Sequence, residues 1–71
     1  MNQINPRKLM HSKWTAVTPV NREKHFMVTK VEFDEDGTVV SCELEAVMSK
    51  RPQSIDWREL KDVSRWRFGW R

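Results

Sequence analysis

Glycine is nearly missing from this chain of 71 residues, with Gly37 and Gly69 as its two examples. A glycine-rich loop that wraps backbone amides around a phosphate is therefore excluded. Cysteine is represented by Cys42 alone, which rules out an internal disulfide and makes a reducing compartment, the cytoplasm, the expected location. Long apolar runs are lacking too. Stretches such as Ala46-Val47-Met48 are far too short to cross a bilayer, so no membrane association is expected. The first fifteen residues hold no apolar run of the secretory kind. Internal repeats, low-complexity tracts and a Gly/Ser linker are absent as well.

Aliphatic bulk is scarce. Leu9, Leu44, Leu60, Ile4 and Ile55 are the only leucines and isoleucines, against eight valines and four tryptophans. A chain this short forms a single domain, residues 1–71, and buries only about 60% of the surface its unfolded form exposes. Each buried indole contributes roughly 150–250 Å², so the tryptophans are expected to be largely structural, with Trp14 and Trp57 in the core.

The net charge of +3 is unevenly spread. Residues 1–30 carry net +5, residues 31–48 net −6 and residues 49–71 net +4. If the basic ends fold side by side, they make one basic face opposite an acidic one. Such a dipolar surface suits a polyanion, an acidic protein or a homo-oligomer. Complementary pairing between strands inside the sheet accounts for the same pattern.

The alternation of Val40, Cys42, Leu44, Ala46 and Met48 against Val39, Ser41, Glu43, Glu45 and Val47 predicts a strand over 38–48. A second strand, with one mixed face, is expected over His25 to Phe33. Asp36-Gly37 marks the turn between them, because glycine accepts a positive φ. Pairing Phe33 with Thr38 sets Val31 against Val40, Thr29 against Cys42 and Met27 against Leu44. Lys13 to Val17 reads as a further strand. Pro52 argues against a central strand at Lys50 to Ser54 and suits an edge. Asp56 followed by Glu59 has capping-box character and predicts a short helix near residues 57–62. The fold class is thus mainly β, a small α+β domain: an antiparallel meander of three to five strands, with curling into a small barrel as one way to close the sheet.

Asn5-Pro6, Ser12-Lys13-Trp14-Thr15-Ala16-Val17, Glu23-Lys24-His25-Phe26, Cys42 followed by Leu44-Glu45-Ala46-Val47, Ile55-Asp56-Trp57-Arg58-Glu59-Leu60 and Gly69-Trp70 together resemble a family of small tryptophan-rich bacterial proteins. The likeness runs nearly end to end. That family is uncharacterised in function, so the resemblance implies a bacterial cytoplasmic single-domain protein and carries no catalytic assignment.

Catalytic groups find little support. On the expected register His25 lies four residues past the partner of Cys42, about 13 Å away at 3.3 Å per residue, beyond proton-transfer reach. Cys42 reads as a small core hydrophobe. One cysteine and two histidines, His11 and His25, make no structural zinc site, and Asp34-Glu35-Asp36 lacks the ligand spacing of a calcium loop. Glu43 and Glu45 read as ordinary cross-strand partners. No enzyme activity, no metal and no cofactor are expected.

Binding retains a physical rationale. Ser64-Arg65-Trp66-Arg67-Phe68-Gly69-Trp70-Arg71 combines three arginines with three large aromatics and no carboxylate. If extended, it sets Trp66, Phe68 and Trp70 on one side and Arg65, Arg67 and Arg71 on the other, either docked on the sheet as a last strand or free. Arg65, Arg67 and Arg71, with Lys13 and Arg58, are candidate anion contacts, and Trp66 and Trp70 candidate stacking platforms, for single-stranded RNA or DNA. Arg7, Lys8, Lys50 and Arg51 are candidates for the same basic surface. The alternative is a protein-interaction or self-associating module whose tryptophans form the core.

Overall fold

The computed structural model describes residues 2–71. Five antiparallel strands form one sheet: β1 (Lys13–Val20), β2 (Glu23–Phe33), β3 (Val39–Ala46), β4 (Arg51–Ser54) and β5 (Trp66–Phe68), in the order β4-β3-β2-β1-β5. The first four make the expected meander. β5 then returns to the far side of β1, so the outer strands β4 and β5 never meet and the sheet stays open rather than curling into a barrel. Helical content among the described residues is two 3-10 turns, Pro6–Lys8 and Trp57–Lys61. The second is the expected short helix near 57–62, started by the Asp56 carboxylate accepting from the Arg58 amide at 3.0 Å.

One face of the sheet is covered and the other is largely bare. Trp14, Phe26, Val28, Cys42, Leu44, Ala46 and Trp66 project to the covered side, where Leu9 and Leu60 from the two flanking segments complete the buried core. Ile4, Ile55 and Trp57 pack around it, so Trp14 is a core residue as expected, whereas Trp57 is half-buried at the margin of the core. Asn2 straps this layer together, its side-chain amide donating to the carbonyls of Leu60 at 2.8 Å and Trp66 at 2.9 Å.

The β2–β3 register differs from the sequence-based one. Val28 faces Leu44, Lys30 faces Glu43, Val31 faces Cys42 and Phe33 faces Val39, with irregularities between Val28 and Lys30 and between Glu32 and Phe33. Thr29 and Val40 are the extra residues of two bulges. Each bulge resets the alternation, so Phe26 and Val28 point into the core although they share parity with Lys30 and Glu32. That change of parity is the mixed face of the strand as read from sequence. Pro52 sits in β4 at the sheet edge opposite Glu45, where its missing N–H leaves no ladder bond unmade.

The basic ends are divided between the two sides of the sheet rather than gathered on one, with Lys13 meeting the C-terminal segment at Trp70 on the bare face. The N-terminal turn with Arg7 and Lys8 belongs to the covering layer, alongside Leu9, whereas residues 69–71 cross the bare face.

Candidate functional site

β5 pairs with β1 through Trp14 and Phe68, Thr15 and Arg67, and Ala16 and Trp66. Trp66 and Phe68 therefore point to the core side. Trp66 is 7% exposed and meets Phe26 edge to face at 5.2 Å between ring centres, and Phe68 lies edge-on to Trp14 at 5.2 Å. Trp66 is consequently a core residue, not a stacking platform. Its indole Nε1 is the one buried side-chain nitrogen or oxygen without a hydrogen-bond partner among the described residues.

Gly69 has a φ of +82°, a left-handed conformation that glycine enters at little cost. The chain turns there, and Trp70 departs from the side shared by Trp66 and Phe68. Its ring lies beside His25 at 5.9 Å, carries the Lys13 ammonium over it at 4.8 Å, and donates from Nε1 to the Phe26 carbonyl at 2.9 Å. Thr15 fastens the same segment. Its hydroxyl donates to the Gly69 carbonyl at 2.7 Å and accepts from the Arg71 amide at 2.9 Å. His25 Nε2 donates to the Arg71 carbonyl at 3.1 Å. The tail is docked, yet Trp70 keeps 44% of its surface exposed.

The candidate cations separate into two groups. Arg58 is bound by Asp56, with Nε at 3.2 Å from Oδ1, and Arg65 by Glu59 at 2.9 Å; both sit at the covering layer, neutralised by a carboxylate. Lys13, Arg67 and Arg71 belong to the bare face or to the tail that crosses it, and none forms an ion pair among the described residues. Arg71 Nε bonds the Phe68 carbonyl at 3.3 Å. The register continues Lys13–Met27–Glu45 across the sheet, so the basic strip ends about two strand spacings, roughly 10 Å, from the acids of β3. His25 and Thr15, absent from the sequence-based set, hold the tail in place. Their signal in the sequence was weak, a hydroxyl and an imidazole on alternating strands.

Catalytic geometry does not arise around Cys42. The thiol is buried on the core side opposite Val31, while His25 pairs with Thr15 and faces the bare side. Burial first, then the nearby charges of Asp56 and Glu43, push the thiol above its ordinary value of 9.0. It stays protonated and poorly nucleophilic.

Taken together, the molecule is a small open five-stranded antiparallel β domain, with a tryptophan-built core and a C-terminal segment latched across its bare face. Residues 12–71 match the model of the family described as tryptophan-rich protein (DUF2389), and the chain belongs to that family. Its function is unknown, as the sequence resemblance implied. No curated protein and no solved structure matches the chain. No helix among the described residues is long and apolar enough to cross a membrane.

Proposed function

We propose that this chain is a non-enzymatic binding module that takes a single strand of nucleic acid across the bare face of its sheet. The observation that supports this reading is the grouping of Lys13, Arg67 and Arg71, three cations outside any ion pair among the described residues, on the face that carries the half-exposed indole of Trp70. Cations on this strip meet phosphates, and the indole offers a π-surface to one base. The Lys13 ammonium already occupies that ring. A stacking base displaces it, and the freed ammonium becomes a phosphate contact, so binding is modest in strength and dependent on salt. The acids of β3 begin about 10 Å from Lys13, which leaves room for one strand rather than a duplex. Relative to the sequence-based set, Arg58, Arg65 and Trp66 drop out of the interface.

The test is a titration of the protein with short single-stranded RNA and DNA, read by tryptophan fluorescence at several salt concentrations. Three phosphate contacts predict a slope of log K against log salt of about −2, at about −0.7 each for single strands. Lys13→Ala, Arg67→Ala and Arg71→Ala each reduce the slope, Trp70→Phe removes the quenching, and Arg58→Ala leaves both unchanged. Absence of any response at low salt overturns the reading.

A second reading, a protein-interaction module with structural tryptophans, is favoured by the burial of Trp14 and Trp66. Its signature is association with a protein partner, or a concentration-dependent mass, insensitive to oligonucleotide.

A further inference from the structure

β4 covers only half of β3. Its four residues pair with Glu43 to Ala46, and the Ile55 amide adds a last bond to the Cys42 carbonyl at 3.0 Å. From Val39 to Ser41 the outer side of β3 has no strand beside it among the described residues. Val40 pairs with neither neighbour and is 61% exposed. Next to this stretch lies a groove of about 390 Å³, with Val39, Val40, Cys42, Ile55 and Trp57 among its lining residues.

The other sheet edges are less open to additional strands: the stretch of β1 beyond β5, Thr18 to Val20, carries Pro19. On β5 the Trp66 amide donates to the Asp62 carbonyl at 2.9 Å, the Trp66 carbonyl accepts from Asn2, and the Phe68 carbonyl accepts from Arg71. β4 is blunted by Pro52. The vacant half of β3 is thus an exposed backbone edge, and it adjoins an apolar floor.

Its charge selects the occupant. Asp34, Glu35 and Asp36 form the turn that leads into Thr38 at one end of the groove, and Asp56 lines the other. A second smaller groove on the same edge adds Glu59 to the lining. Arg58 engages Asp56 and Arg65 engages Glu59, so the acids outside any ion pair among the described residues of this rim are those of the Asp34–Asp36 turn. A second copy presenting the same edge brings acid against acid, and the chain's own basic strand, β5, has three of its outer backbone groups occupied.

We infer that this acid-rimmed groove docks an extended basic segment of a partner protein, with an apolar side chain seated between Val39, Ile55 and Trp57 and flanking lysines or arginines against the Asp34–Asp36 turn. The site is separate from the basic strip on the bare face, and it gives the protein-interaction reading a defined surface.

The experiment titrates the isotopically labelled protein with a capped pentapeptide alternating lysine and valine, followed by amide chemical shifts. Expected are shifts at Val39, Val40, Ser41, Ile55 and Trp57, slower hydrogen exchange at Val40, and weakening as salt rises. The matching glutamate and valine peptide leaves these resonances still. Val40→Lys and Glu35→Lys, two exposed positions that should tolerate change, each weaken binding by roughly tenfold. Arg67→Ala leaves peptide binding intact while lowering RNA binding, which separates failure of one reading from failure of the other. No shift at Val39 to Ser41 with millimolar basic peptide overturns the inference. So do equal shifts from both peptides, or shifts at this edge that appear on concentrating the protein alone, the mark of a second copy.

Discussion

The Thr15 hydroxyl donates to the Gly69 carbonyl at 2.7 Å across the β1–β5 pair, and Thr15 is the one buried polar residue, 3% exposed, among the described residues. The same oxygen accepts from the Arg71 amide. One side chain thus fixes both ends of the segment that carries Trp70 over Lys13 and His25. Thr15→Val keeps the shape and removes both bonds. The expected cost is about 1–3 kcal/mol, the usual penalty for leaving buried partners unpaired, read as a lower urea midpoint. Acrylamide quenching should rise in the variant, and the rise should vanish when Trp70→Phe is added.

The two core indoles differ in their polar ends. Trp14 Nε1 donates to the Ser12 hydroxyl at 2.8 Å, and that hydroxyl donates to the Leu9 carbonyl at 2.6 Å. Trp66 Nε1 has no partner. Replacing Trp66 with Phe loses packing but also removes a desolvated donor, whereas Trp14→Phe loses packing and a made bond. Trp14→Phe should be the more destabilising by about 1–3 kcal/mol. Urea unfolding of the two variants checks this, and equal losses would mean that Trp66 Nε1 is satisfied in solution.

What could be read from the sequence, and what could not, has a common physical origin. The β3 alternation was legible because one face of that strand meets the core and the other does not. Pro52 announced an edge because it cannot donate to a ladder. The hairpin register was not legible, since Thr29 and Val40 are ordinary β-formers whose bulged state depends on tertiary packing. Phe26, Val28 and Val31 did record it, as apolar residues that change parity across Thr29. The tail failed at one residue. Strict alternation from Trp66 to Trp70 holds only without a left-handed residue between them, and Gly69 is one. Trp66 then joined the core while Trp70 crossed to the bare face. Arg58 and Arg65 left the candidate site because Asp56 and Glu59 lie within reach in space, which a count of basic residues does not register.

Acid should loosen the segment between β4 and β5. The Arg58 side chain, donating to Asp56, holds that carboxyl below its ordinary 3.8, and the Ser64 hydroxyl and amide do the same for Asp62. A carboxyl whose pKa is lowered by folding contributes stability that is complete above the unfolded value and lost as pH falls through the folded one. The 3-10 turn at Trp57–Lys61 and the turn into β5 should therefore weaken below about pH 4. Carboxyl carbon shifts should titrate below 3.8 for both residues. Arg58→Ala should return Asp56 toward the ordinary value without moving Asp62.

The β1–β2 hairpin turns through two residues, Asn21 and Arg22, with φ of 56° and 63°. Two-residue connections with both φ values positive match the right-handed twist of the flanking strands, and their favoured sequence is Asn-Gly. Asn21 fits that preference, because its short amide tolerates the left-handed region. Arg22 does not, since its Cβ crowds the following carbonyl at a cost of roughly 1–2 kcal/mol that glycine avoids. Some of this returns as the greater chain entropy of glycine in the unfolded state, about 0.5–1 kcal/mol. Arg22→Gly should therefore raise stability by roughly 0–1.5 kcal/mol, seen as a higher urea midpoint at unchanged m-value. Nucleic-acid binding should be unaffected, because Arg22 lies at the hairpin tip, outside the strip formed by Lys13, Arg67 and Arg71. A lower midpoint would mean that the Arg22 side chain makes a stabilising contact at the tip that outweighs its backbone strain.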